Sequence, residues 1–157
     1  MNTRTKDSTS GTPQFLAFAL GAEQYAVGIL SVQEIRGYDA VTRIANAPEH
    51  IKGVINLRGQ VIPIIDLRVR FGLANVTFTE QTVVVVLNVE GTVVGAVVDS
   101  VSDVVEISAD DIKETPALST NLNSDHITGI ATLEDRMLIM LDAESFLVGE
   151  HLMQSMA

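Results

Sequence analysis

The sequence predicts an all-β chain built as a pair of small β-barrels, and three observations lead there. Short runs of Val, Ile and Leu recur from end to end, separated by Gly, Asn and Asp, which is the punctuation of strands and turns. One segment occurs twice without a gap: HIKGVINLRGQVIPIID (residues 50–66) lies over HITGIATLEDRMLIMLD (residues 126–142). His50, Ile51, Gly53, Leu57 and Asp66 meet His126, Ile127, Gly129, Leu133 and Asp142, so one supersecondary unit is present in two copies. Finally, the chain is 46% hydrophobic but only 4% aromatic, with no Trp, so Val, Ile, Leu and Ala must fill its cores.

The elements follow in order. Residues 1–13 form a polar tail with too few apolar side chains to pack, and are expected to be disordered. Gln14 to Leu20 is the first strand, Gly21 the turn, and Tyr25, Val27 and Ile29 alternate along the second strand. Ser31 and Glu34 match a capping box, so a short helical turn competes with an extended reading of Val32 to Arg36. Val32 and Ile35 are then either core or an exposed apolar patch with Glu34 on its rim. Val41 to Ile44 reads as a short strand. Pro48 suits the first position of a helical turn that Gly53 would end.

The first repeat copy comes next. Val54–Leu57 and Val61–Ile65 flank Arg58-Gly59, a pattern for a tight hairpin with Arg58 at its tip and Gly59 left-handed. Pro63 has no amide hydrogen, which predicts an edge strand or a bulge. Asp66 suits the N-cap of a short helix and Gly72 its C′ stop. Leu73 to Thr79 reads as a linker. Thr82 to Val89 is apolar on both faces, hence central, and Glu90-Gly91 turns it into Thr92–Val98. Val101 to Ile107 follows, and residues 102–107 echo residues 30–35, which carries the repeat upstream. A polar connection with Pro116 leads to the second copy, and residues 144–156 read as a C-terminal helix. The folded unit is expected over residues 14–148, with subunits of roughly 14–79 and 80–148 that can intertwine, and a C-terminal tail or helix end over 149–157.

Charge is unevenly shared. The net charge is −10, divided as +2 over residues 1–79 and −12 over residues 80–157. An acidic second half argues against nucleic acid, whose phosphates need a basic footprint. The absence of cysteine removes disulfides, thiolate metal sites and a Cys nucleophile. No leader-like apolar stretch and no membrane-length apolar run is visible, so a soluble, cytoplasmic protein is expected. His50 and His126, with Asp66 and Asp142, are the obvious acid–base candidates. Both pairs fall at repeat-equivalent positions, which a structural role explains more cheaply than two active sites would. The spacing of His50, His126 and His151 makes no metal motif, and no cofactor-binding pattern is present. A protein-interaction scaffold remains.

The stretch NLRGQVIPIIDLRVRFG resembles the CheW family, the receptor-coupling proteins of bacterial chemotaxis. QFLAFALGAEQYAVGI, VQEIRGY, VTRIANAPEHIKGVINLRG, TVVVVLNVEG, VVGAVVDSVSDV and DRMLIMLD carry the resemblance across residues 14–147. It implies two SH3-like five-stranded barrels packed around a shared core, with short helices and no enzyme activity or cofactor. It also implies an adaptor between the cytoplasmic tip of methyl-accepting chemoreceptors and the regulatory domain of the histidine kinase CheA, recruited to receptor arrays. The alternative is a related scaffold serving a non-motility two-component array. By the resemblance, a receptor helix lies between the barrels against Val32, Glu34, Ile35, Gly53, Arg58, Val83 and Val84. The kinase contacts fall at Val41 and Ile44 and at Lys113, Ala117 and Leu118. Ala117 and Leu118 stand where the family often has an acidic residue and an aromatic.

Overall fold

The computed structural model describes residues 12–38, 41–73, 76–113, 127–145 and 147. Among them, eleven strands form two sheets. The strands are β1 (Gln14–Leu20), β2 (Glu23–Gly28), β3 (Val32–Gly37), β4 (Ile51–Leu57), β5 (Gln60–Asp66), β6 (Val83–Val89), β7 (Thr92–Val98), β8 (Ser100–Glu106), β9 (Ile112–Lys113), β10 (Ile127–Leu133) and β11 (Arg136–Leu141). One sheet runs β8-β1-β2-β11-β10-β9 and the other β3-β6-β7-β5-β4. The fold is mostly β, in two SH3-like barrels. The first has six strands where five were expected, because two-residue β9 pairs with β10.

The sheets do not follow the halves 14–79 and 80–148. All strands of the five-stranded sheet lie between residues 32 and 98, while the six-stranded sheet takes β1 and β2 before that stretch and β8 to β11 after it. One barrel is nested in the sequence of the other. Two crossovers join them, at residues 29–31 and at Asp99.

The pairings repeat register by register. Phe18 meets Val101 and Ala17 meets Asp103 in one sheet; Leu87 meets Val32 and Val86 meets Glu34 in the other. Equivalent residues of β1–β3 and β6–β8 therefore stand 69 places apart. Tyr25 of β2 runs parallel to Ile139 of β11, as Val94's neighbour Gly95 of β7 does to Ile64 of β5. The upstream echo was thus misregistered by three residues: Glu34 corresponds to Asp103, not Glu106, because backbone pairing rather than the shared V-x-E-I pattern sets equivalence.

Alternation along β6 divides the core. Val84 and Val86 point into the five-stranded barrel with Ile55, Ile62 and Ile64, while Val85 and Leu87 join Phe18, Tyr25 and Phe71 in a core shared by both barrels. Ala17, Ala26, Ile107 and Met140 fill the third cluster, inside the six-stranded barrel. Tyr25 stacks between Phe18 and Phe71 at 5.9 and 6.0 Å, anchoring the shared core.

Several local expectations need correction. Residues 32–37 are strand, and the 3-10 turn Ile29–Ser31 before them has no side-chain cap. Residues 41–44 contribute only a bridge, Thr42 to Val54, and Gly53 lies inside β4 instead of ending a helix. Pro63 is neither on an edge nor at a bulge: β5 lies between β4 and β7. Its missing donor costs nothing on the β7 side because that parallel ladder starts at Ile64. The helix signals hold. Asp66 caps α1 (Leu67–Arg70), and the Gly72 and Leu73 amides bond to Val69 and Arg68 carbonyls, a Schellman stop with Gly72 at φ +75°. Residues 143–145 and 147 are helical, and the rest of the expected C-terminal helix lies outside the described residues, as do residues 1–11 of the tail.

Candidate protein-interaction site

The site is assembled on β3, which is an edge strand of its sheet. Its alternation puts Val32 half-buried against the shared core and leaves Ile35 43% exposed. Between them stands Glu34, opposite the buried Val86. The β4–β5 hairpin tip reaches the same place. Arg58 has φ +52° and Gly59 φ +89°, and the Asn56 side chain accepts the Gly59 amide at 2.8 Å, which holds the turn. From that turn the Arg58 guanidinium donates to Glu34 Oε2 at 2.6 Å, and Arg36 donates to Oε1 at 3.4 Å. The hydrogen bond from Arg58 chiefly holds the Glu34 carboxyl below its usual range, against some desolvation. Arg58 nevertheless keeps 68% of its side chain exposed. The result is an apolar strip with a prearranged, solvent-facing cation beside it, suited to a partner's carboxylate or carbonyl.

Two residues offered for this surface do not belong to it. Val84 is fully buried in the five-stranded barrel, because its β6 position points inward. Gly53 is buried at φ +150°, and a Cβ there would overlap the Thr42 carbonyl oxygen. Thr42 and Val54 exchange both backbone hydrogen bonds at 2.8 Å across this point, so only glycine lets the strands approach. Gly129 meets the Lys113 carbonyl in the same way, which explains why the repeat keeps the residue. Val83, at the start of β6, is half-buried against the shared core.

A second surface lies beyond the Thr42 bridge. Val41, Ile44, Arg43, Lys52, Pro48 and Phe78 line an open cleft of about 690 Å³. Ile44 is 49% and Phe78 47% exposed, and Phe78 leans on Tyr38 with ring centroids 4.6 Å apart. Lys113 is exposed on β9, at the far end of the other barrel. Ala117 and Leu118 lie outside the described residues.

Arg68 was not singled out in the sequence, and it is the most heavily bonded side chain near these surfaces. It is 2% exposed, forks onto both carboxylate oxygens of Asp66 at 2.9 Å, and reaches Asp99 at 2.6 Å. It also donates to the Thr77 carbonyl and lies 4.7 Å over the Phe78 ring, so the cleft's exposed aromatic rests on a fixed support. Burial disfavours the Arg68 charge, but the hydrogen bonds to Asp66 and Asp99 outweigh it and raise the pKa. Asp66 gives both of its carboxylate oxygens to Arg68. The available signal was the tripeptide Asp66-Leu67-Arg68 directly after a buried strand. The Asp99 partner is set by the fold.

His126 and His151 lie outside the described residues. Among the described residues no cluster of His, Cys, Asp or Glu is arranged to hold a metal ion, and no helix is long and apolar enough to cross a membrane.

A family model described as a CheW-like domain matches residues 14–150. The chemotaxis protein CheW of Klebsiella aerogenes is 52% identical over 139 residues, covering 88% of this chain and 84% of that one. The chemotaxis protein CheW of Rhizobium meliloti is 35% identical over 150 residues, covering 96% and 97%. The crystal structure of the scaffolding protein TtCheW from Thermoanaerobacter tengcongensis superposes with a TM-score of 0.78 at 32% identity, covering 83% of this chain and 89% of that one.

Proposed function

The chain belongs to the CheW family, and on that premise we propose that it is a non-enzymatic adaptor coupling chemoreceptors to the histidine kinase CheA in the cytoplasm, at receptor arrays. The observation that carries this reading is the pairing of two separate, partly exposed apolar surfaces on one barrel. One is the β3 edge with Val32, Ile35 and the Glu34–Arg58 pair; the other is the cleft with Val41 and Ile44. A helix from a receptor tip fits the first, since helix-in-groove contacts bury apolar anchors inside a polar rim. The kinase regulatory domain fits the second, with a smaller contact at Lys113, Ala117 and Leu118. Val83 stands at the edge of the first surface.

Separate variants test the assignment. Val32→Asp puts a charge into the receptor contact and should cost about 2 kcal/mol or more of receptor-tip affinity, leaving kinase binding intact. Ile44→Asp should do the reverse. Calorimetric titration of each variant with a receptor-tip fragment and with the kinase regulatory domain gives the answer. If each variant lost both partners equally, the two-surface reading would have to go.

A further inference from the structure

Phe78 is the exposed aromatic of the cleft, and its own segment does little to hold it there. Residues 76–81 belong to no strand. Downstream the segment is tied by the Thr79 amide, which donates to Thr82 Oγ1 at 2.9 Å. Upstream its fixings come from Arg68, which donates to the Thr77 carbonyl and lies 4.7 Å over the Phe78 ring. Arg68 can serve as a support only if its own plane is fixed, and Asp66 and Asp99 fix it from two directions. Asp99 is itself held. One carboxylate oxygen takes the Arg68 guanidinium, and the other accepts the Gly21 amide at 2.6 Å, in the β1–β2 turn of the six-stranded barrel. A single line of contacts thus runs from that turn through Asp99 and Arg68 to the rim of the cleft.

The internal repeat separates this line from ordinary support of the fold. The short helix after each hairpin keeps the same cap: Asp66 accepts the Arg68 amide at 3.0 Å, and Asp142 accepts the Glu144 amide at 3.1 Å. The clasp is not kept. At a spacing of 76, Arg68 corresponds to Glu144, which is exposed. At the spacing of 69 that relates β1–β3 to β6–β8, Asp99 corresponds to Leu30, an apolar residue that is 97% exposed. The repeat thus builds its other helix end without an equivalent of either residue, and the clasp belongs to the end of the molecule that carries the cleft. We infer that Arg68 and Asp99 are positioning residues for the kinase contact, holding Phe78 as a prearranged anchor at the rim of the cleft; this rests on the kinase reading of that cleft. An aromatic anchor whose orientation is set before docking loses less freedom on binding, and so contributes more affinity.

The test uses the full chain, titrated against the kinase regulatory domain and against a receptor-tip fragment. Phe78→Ala should lower kinase affinity about tenfold and leave receptor-tip affinity and the melting midpoint unchanged. Asp99→Ala should lower kinase affinity about threefold or more, and the double variant should bind no more weakly than Phe78→Ala alone, because Asp99 acts through the ring. If the two losses multiply instead, Asp99 acts on the fold and the inference fails. The chain has no Trp, so Phe78→Trp supplies a single reporter at the rim. Adding Asp99→Ala to it should shift the emission of the free, folded protein to the red and raise its quenching by acrylamide. Unchanged emission and quenching would overturn the support. Asp99→Asn keeps an oxygen for one of the two donors and carries both measurements should the alanine variant unfold. Ile44→Asp, measured beside these, separates the anchor from the kinase reading. A kinase loss in Ile44→Asp with none in Phe78→Ala leaves the kinase cleft standing and sinks the anchor. No loss in either removes the kinase reading, and the anchor with it.

Discussion

The hairpin joining β4 to β5 and the one joining β10 to β11 share their register and a left-handed first turn residue, Arg58 at φ +52° and Glu134 at φ +54°. Their surfaces differ. Each barrel ties an acid on its edge strand to an arginine of its own hairpin: Glu34 to Arg58 in one, Asp103 to Arg136 in the other. In the first the arginine is the tip itself and stays 68% exposed. In the second it stands two residues further on, matching Gln60, is 32% exposed, and binds Asp103 through both guanidinium nitrogens and Gln24 through one. The first pair leaves its arginine outward and its acid covered, and the second covers its arginine and leaves its acid half exposed. Duplication kept the backbone, while a shift of one cation by two residues made one end a candidate docking face and left the other acidic.

The largest effect that can break this comparison is expected at Arg68. Its counterpart 76 residues on is Glu144, which is exposed. Arg68→Ala would strand the buried carboxylate of Asp66 and should cost about 3–5 kcal/mol, whereas Glu144→Ala should stay within about 0.5 kcal/mol. Urea unfolding of both variants checks it; comparable losses would mean that the two helices carry equivalent loads. Next come the paired glycines. Gly53→Ala and Gly129→Ala each force a Cβ into a backbone carbonyl and should each lose about 3 kcal/mol by the same assay. A loss at only one of them would show that the copies are not backbone-equivalent.

Smaller effects sharpen the contrast between the tips. Glu134→Gly relieves a left-handed non-glycine residue and should gain about 0.5–1 kcal/mol. Arg58→Gly relieves the same strain but loses the Glu34 bond, so its gain should be smaller while receptor-tip binding falls. Thermal melts and titrations of the two variants separate these outcomes. The smallest effect is in pH. The Glu34 pKa is lowered on folding, so its contribution is present above the ordinary carboxylate range and is lost as pH falls through the lowered folded value. Glu34→Gln should therefore flatten the acid limb of a stability–pH profile, and an unchanged limb would show that the pair contributes nothing to folding.

What the sequence revealed was local. Arg58-Gly59, the Asp66 cap and the Gly72 stop are each decided within a few residues, and all three stand where expected. The 50–66 repeat was equally plain, because its hairpin is self-contained. The nesting of the barrels was not, since it depends on β2 meeting β11 across more than a hundred residues while both are apolar. Gly53 looked like a surface residue because the Thr42 carbonyl that excludes a side chain belongs to another segment. Val84 and Val85 could not be told apart by composition; only the register with β3 decides which of them faces the barrel interior and which the shared core.

The nested connectivity also dictates an order of manufacture. A ribosome releases the chain from its N-terminus, so the β1–β2 hairpin emerges first and has no partner strand beyond itself. By the time residue 98 has left the exit tunnel, every strand of the inner barrel is available, and that barrel can close by itself. The outer barrel must wait for β11, which ends at Leu141. Until then its oldest hairpin carries unsatisfied edges, the state in which nascent β-chains are most exposed to mispairing. The part of the protein that is made first is thus the part that finishes last.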